Sequence, residues 1–390
     1  MRDVDVLIVG GGPAGISTAL HLQVADPRLC VVVLERETYP REKICAGGVG
    51  ARAFKLLAKI GVEVDCPKVP LNALAVKLAQ DTIITPMPDL GAVVRRVEFD
   101  HALAKVAIGR GIEVKDGTSV ERVTVSDDGV RISASTGEEY RAKILVGADG
   151  VSGVVRKQLG FARPSLRAQV VELDTEDLPD DQPRDTVVFD FARRDLHGYA
   201  WDFPTQVNGQ SLVCRGAYVI RTLGPDAARA RCAQYLETRG LDIKNYRIKQ
   251  FAEQGFTRGE AIAQQRVILV GEAAGIDIAT GEGIGQAIEY GAVAGPYLAR
   301  ALERDDVRFA DWAKVIDKHH LGFQMKVRHA AYRWFYGPKR TTVERVMPKL
   351  PSMFRVAMQD FAGVPIDKLS LMRGAGQLLR AYTSEKLRRA

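Results

Sequence analysis

The residues best suited to chemistry stand at the start of the chain, where Gly10, Gly12 and Gly15 follow the spacing G-x-G-x-x-G. An apolar, β-branched run over residues 4–9 precedes them, and a helical pattern through Leu22 follows. In that setting each glycine has a task. Gly10 permits the tight turn, Gly12 lets backbone approach a pyrophosphate, and Gly15 lets helix and strand pack closely. Pro13 and Ala14 fall at the helix start, whose free N–H groups and dipole stabilise phosphate charge. A second apolar run, Cys30 to Leu34, ends in Glu35, a carboxylate placed to accept hydrogen bonds from a ribose. The pattern predicts a dinucleotide site.

Other segments carry reactive or adaptable side chains, each open to two interpretations. Tyr199, Trp201 and Phe203 alternate along one run and therefore share a face, either the wall of an apolar channel or ordinary sheet core. Phe189 and Phe191 repeat the alternation. Gly281, Gly283 and Gly285 open a helix, whose N–H groups either stabilise negative charge on a ligand or belong to a cap made of small residues. Cys45 lies in a glycine-containing loop beside Lys43, as a reactive thiol or an inert buried one. Lys77 sits on an alternating strand, where most lysines are solvated.

The elements that must position these residues follow from periodicity. Strand, glycine turn, helix and strand make a βαβ unit. Helices are predicted near 50–59, 99–109, 225–237 and 283–302, a meander over 118–146, and a buried strand at 267–270. Asn208-Gly209 predicts a tight hairpin within a strand-rich stretch over 166–220. The expected fold is α/β. A discontinuous Rossmann-type lobe uses residues 1–65, 92–160 and 260–303, a β-rich substrate lobe uses 66–91 and 161–259, and a helical region covers 304–390.

With 390 residues the chain is long enough for two lobes, and 46% hydrophobic content fits a globular protein. No apolar stretch reaches membrane-spanning length, and the N-terminus enters a strand without a secretion signal, so a cytoplasmic protein is expected. The five cysteines are odd in number and lack metal-type C-x-x-C spacing, and only six histidines are present. Reduced thiols and no metal site are expected. From Lys326 onward, 14 Lys/Arg face 4 Asp/Glu. With Trp334-Phe335-Tyr336 among them, this basic region is read either as a peripheral contact for an anionic lipid surface or as a solvated helical face. No nucleic-acid-binding module is present.

Two later segments resemble the second and third fingerprints of flavoprotein hydroxylases and reductases: Gly147-Ala148-Asp149-Gly150, and Val270-Gly271-Glu272-Ala273-Ala274-Gly275. Arg96, in Arg96-x-x-Phe99-Asp100, matches a further position of that superfamily. The resemblance implies FAD, held by Gly10, Gly12, Pro13, Ala14, Gly15, Glu35, Arg36, Arg96, Val120, Asp149, Gly150, Gly271, Glu272, Gly281, Gly283 and Ile284. Glu272 stands where the superfamily has Asp. Pro40-x-x-Lys43-x-Cys45-x-Gly47, Tyr199-x-Trp201-x-Phe203-Pro204 and Thr280-Gly281-Glu282-Gly283-Ile284 resemble the geranylgeranyl reductase family, although Ile278-Ala279 replaces the proline often found near that loop. This implies FAD-dependent saturation of prenyl double bonds. It gives Cys45, Tyr199 and Trp201 catalytic roles, with Cys45 relaying a proton. NAD(P)H or a reduced electron carrier would dock transiently, because no second strand–glycine–helix unit is evident. The flavin monooxygenases and halogenases share the FAD fingerprints and form the alternative, for which Lys77 is the candidate lysine. A flavin-binding carrier without turnover is the third class.

Overall fold

The computed structural model describes residues 1–365 apart from 80, 163–165, 194, 221–225 and 339, together with 372–374, 376, 377, 380 and 383. Two eight-stranded sheets carry the architecture. In the first, the strands Glu113–Lys115, Val31–Leu34, Arg2–Val9, Glu139–Gly147 and Val267–Leu269 run parallel in that spatial order. The hairpin Val120–Ser126/Gly129–Ala134 adds antiparallel to Glu139–Gly147. Val31–Leu34 and Val267–Leu269 are wholly apolar and buried, as strands covered on both faces must be. Helices Pro13–Ala25 and Ile284–Glu303 pack together on this sheet. Gly291 and Gly295 allow it, since a Cβ there would lie 2.4 Å from Ser17 Oγ and 2.5 Å from the backbone at His21.

The second sheet is antiparallel except for one parallel pair, Thr186–Asp190 with Lys68–Lys77. Its spatial order is Lys249–Gln254, Arg167–Thr175, Gln210–Val219, Gly198–Val207, Thr186–Asp190, Lys68–Lys77, Thr82–Val94 and Gly48–Gly50. Gly48–Gly50 and the end of Thr82–Val94 thus pair in this sheet, although sequence assigned them to the nucleotide lobe. The hairpin at Asn208-Gly209 is the tight two-residue kind, both residues having positive φ (50° and 80°).

Among the described residues, the helices Trp312–Lys318, His320–Phe335, Arg340–Val346 and Pro351–Ala362 follow. A network of buried and half-buried charges clasps them to the first lobe. Arg328 lies 3.0 Å from Asp277, bonds Glu282, and reaches Asp360 at 3.3 Å. Arg52 lies 3.3 Å from Glu289, and His320 lies 3.0 Å from Asp360. Phe335 and Tyr336, which the sequence left either at a lipid interface or on a solvated helical face, turn inward: Phe335 meets Phe191 with ring centroids 5.3 Å apart, and the Tyr336 hydroxyl donates to Gly198 O at 2.7 Å.

Candidate active site

The glycine turn is shaped by what lies against each glycine. Gly10 has φ +106°, and a Cβ there would lie 2.4 Å from Ala148 O. At Gly15 a Cβ would lie 1.9 Å from Gly10 O. At Gly12 the nearest atoms are instead Arg41 Nη2 at 3.7 Å and Arg96 Nη2 at 3.8 Å. The middle glycine therefore faces an open cradle lined by two guanidinium groups, which suits a pyrophosphate. Glu35 is fixed by two N–H donors, Gly11 at 2.8 Å and Glu37 at 3.0 Å. The Tyr39 hydroxyl donates to Gly11 O. Arg41 Nη2 is 3.0 Å from Asp100 Oδ2, and Arg96 grips the same carboxylate with two bonds of 2.6 Å. The cations of the cradle are thus held from beneath by Asp100.

Tertiary contact brings all three fingerprints together. Gly10 abuts Ala148, a Cβ at Gly271 would lie 2.5 Å from Ala14 Cβ, and one at Gly150 would lie 3.4 Å from Glu272 Oε2. Asp149 accepts the Val155 N–H at 2.9 Å, and burial pushes its carboxyl up to about 6. Gly283 caps the helix that begins at Ile284. Gly281 (φ +67°) sits on the second sheet, where its Cβ position is 3.0 Å from the Tyr199 hydroxyl and 3.3 Å from Glu253 Oε2. The Tyr199 hydroxyl donates to Thr280 O at 2.5 Å. Arg36 lies at the surface, bonded to Glu37, and Val120 is a buried residue opening its strand. The glycine turn with Arg41 and Arg96 fits the pyrophosphate of an FAD, and among the described residues nothing in their contacts joins Arg36 or Val120 to that cradle.

The inner face of the second sheet divides into two halves. One is aromatic. Tyr199 stacks on Tyr218 with centroids 5.0 Å apart, and Phe189 meets Tyr199 at 5.1 Å and Phe203 at 5.3 Å. Trp201 lies across Gly216, where a Cβ would come within 2.2 Å of the indole. The other half is acidic. Along one cross-strand row stand Lys249, Glu172, Gly216, Trp201 and Phe189. Glu172 is 2% exposed, and burial pushes its carboxyl up to about 7, against the pull of Lys249. Burial also raises Glu253, which Glu272 reinforces, and raises Glu272 itself, with Lys43 and Arg96 opposing.

Cys45 stands where the two halves meet the first lobe. Its N–H donates to Glu172 Oε1 at 3.1 Å, and its Sγ accepts the Gly47 N–H at 3.4 Å. Burial raises the thiol, with Arg96 the main opposing charge, so it holds its proton at neutrality. A face with several groups that retain protons near pH 7 can deliver protons into an apolar site.

Sequence inspection passed over Arg41, Glu172 and Glu253. For Glu172 a signal exists: Val170, Glu172 and Asp174 alternate with Val171 and Leu173, which puts two acids on one face of a strand whose other face is apolar. Lys77 lies at the end of its strand, opposite Thr82 and Asp190.

Comparison with known proteins agrees with this geometry. The family described as FAD binding domain matches residues 3–306. The digeranylgeranylglycerophospholipid reductase of Methanosarcina acetivorans is 29% identical, over 82% of this chain and 81% of its own. A geranylgeranyl bacteriochlorophyll reductase-like protein of Thermoplasma acidophilum superposes with a TM-score of 0.79 at 19% identity, covering 99% of this chain and 98% of its own. A flavin-dependent brominase gives 0.68 at 18% identity, with both chains covered in full (100%). At these identities the two structures share the fold. The match over most of the chain decides the family: the protein belongs to the FAD-binding-domain family and is a flavin-dependent oxidoreductase.

Proposed function

We propose that this enzyme reduces carbon–carbon double bonds of a prenyl or similarly lipidic substrate. The observation that carries this reading is the junction at Cys45, where a proton-holding thiol is tied through Glu172 to the sheet face that carries the aromatic cluster. Saturating an unactivated double bond needs a hydride at one carbon and a proton at the other. Reduced FAD supplies the hydride when bound, and NAD(P)H or a reduced electron carrier regenerates it. The protein's own part is to hold the chain against Tyr199, Trp201 and Phe203, to exclude water, and to give the proton from Cys45 Sγ. The name of the Methanosarcina relative points to the same substrate class.

Substrate delivery fits a peripheral lipid contact. Helix His320–Phe335 exposes Phe323 (57%) and Val327 (50%) one turn apart, with Lys326, paired to Asp317, adjoining them and Arg333 further along the helix. That pattern suits insertion among anionic headgroups. No described helix is long and apolar enough to cross a membrane.

Mass spectrometry of prenyl substrates incubated with the reduced enzyme tests the proposal. A gain of two hydrogens per bond, lost in Cys45→Ser, is the expected result. Insertion of oxygen would sink it. Halogen incorporation abolished by Lys77→Ala would instead establish the halogenase reading, which the brominase-like fold keeps in view.

A further inference from the structure

Glu172 is out of place as a structural residue. Its Oε1 tethers the Cys45 backbone, but its Oε2 has no hydrogen-bond partner among the described residues, although the side chain is almost completely buried. A tether needs one acceptor, which an amide supplies without ionisation. A buried carboxyl with an idle oxygen costs stability. The groups around it come from every neighbouring element: Lys249 and Cys214 on the flanking strands, Asp174 on its own, Arg95 at the start of helix Arg96–Gly109, Cys232 on helix Ala227–Thr238, and Cys45 in the loop above. Asp174 bonds both Lys249 and Arg95 at 3.0 Å, and all three are partly open to solvent. Arg95, Asp174 and Lys249 therefore form a polar cluster between the surface and Glu172, and Glu172 in turn bonds the backbone of the residue that carries the thiol.

We propose that Glu172 is the proton reservoir of Cys45, a relay residue that resets the thiol after each turnover. This rests on the reductase reading for its use. In the step, the Cys45 S–H bond breaks as its proton forms a C–H bond at the substrate carbon left with an electron pair by hydride addition to its neighbour. Both electrons come with the hydride from the reduced cofactor. The thiolate takes the Glu172 carboxyl proton, and the carboxylate is reprotonated from water along the Asp174–Lys249 edge. Neither residue changes oxidation state.

The test needs no substrate. The rate of Cys45 alkylation by iodoacetamide in the FAD-loaded enzyme is followed by peptide mass spectrometry between pH 5 and 10. Wild-type protein should show two inflections, one near 7 from Glu172 and one above it from the thiol. Glu172→Gln keeps the acceptor for the Cys45 N–H but removes the negative charge. It should lose the lower inflection and react roughly three- to tenfold faster at pH 8–9. A single inflection in wild type, or superimposable profiles, overturns the relay and leaves Glu172 a tether. The wild-type profile decides the matter even if the variant does not fold. Two-step alkylation without reduced prenyl product sinks the reductase reading alone, and reduced product with one-step alkylation sinks the relay alone.

Discussion

The glycine turn of the first lobe and the inner face of the second sheet solve opposite electrostatic problems. At the turn every charge is matched before a ligand arrives: Glu35, Arg41, Asp100 and Arg96 form a closed set of ion pairs around an open backbone cradle. On the sheet, Glu172 and Glu253 are buried with too little positive charge around them, so burial pushes both carboxyls up, Glu172 to about 7, and Glu272 of the first lobe reinforces the rise at Glu253. The first arrangement suits a polyanion that is bound and kept. The second suits proton transfer.

Substitutions at the turn should have the largest effect and test whether its glycines act by packing or by access. In Gly15→Ala the new methyl meets the Gly10 carbonyl at 1.9 Å, so misfolded or insoluble protein without flavin is expected. In Gly12→Ala the methyl meets no backbone, and its nearest atoms are guanidinium nitrogens at 3.7 and 3.8 Å. That variant should keep its melting temperature in the apo form and lose flavin absorbance on purification. Equal damage from both would break the distinction between the two glycines.

Glu172→Gln measures what the sheet face costs. A carboxyl raised from 4.5 to about 7 in the folded state leaves stability intact below pH 4.5 and lowers it as pH rises through about 7. The variant should therefore be more stable than wild type at pH 8–9, by roughly 2–3 kcal/mol, and equal to it at pH 4. Denaturant melts at the two pH values measure the difference. No gain at high pH would mean that the face is better compensated than its contacts indicate.

The C-terminal clasp resembles the turn in being charge-matched, and it should respond more weakly because His320 is half exposed. His320 is raised from 6.5 to about 9, chiefly by its bond to Asp360. This stabilisation is complete below about pH 6.5 and is lost as pH rises through 9. Asp360 is brought from 3.8 down to about 2, where burial is outweighed by His320, Arg328 and Arg52. Its share is present above about pH 3.8 and is lost as pH falls through 2. Asp360→Asn should cost on the order of 1 kcal/mol near pH 5–6 and less near pH 9, read from thermal melts. The smallest effect expected is for Phe323→Glu, which should weaken binding to vesicles containing anionic lipid and leave reduction of a short, detergent-solubilised substrate unchanged.

Local pattern was enough for much of this molecule. A G-x-G-x-x-G turn between strand and helix, an acid ending the next strand, aromatics in strict alternation and Asn208-Gly209 all act through neighbours within a few residues, so spacing alone determined the βαβ unit, the shared face of Tyr199, Trp201 and Phe203, and the hairpin. Other features depend on residues far apart in the chain. Arg41 faces Gly12 because the loop after Leu34 folds back over the turn, and Phe335 turns inward because its helix closes on Phe191. Glu172 meets Cys45 across 127 residues of sequence. Burial decides whether such a carboxyl holds a charge or a proton, and burial is a property of the packed lobes. The sequence by itself determined that the chain would cradle a dinucleotide. Only the tertiary structure decided which acids, stripped of water, would stand beside the thiol.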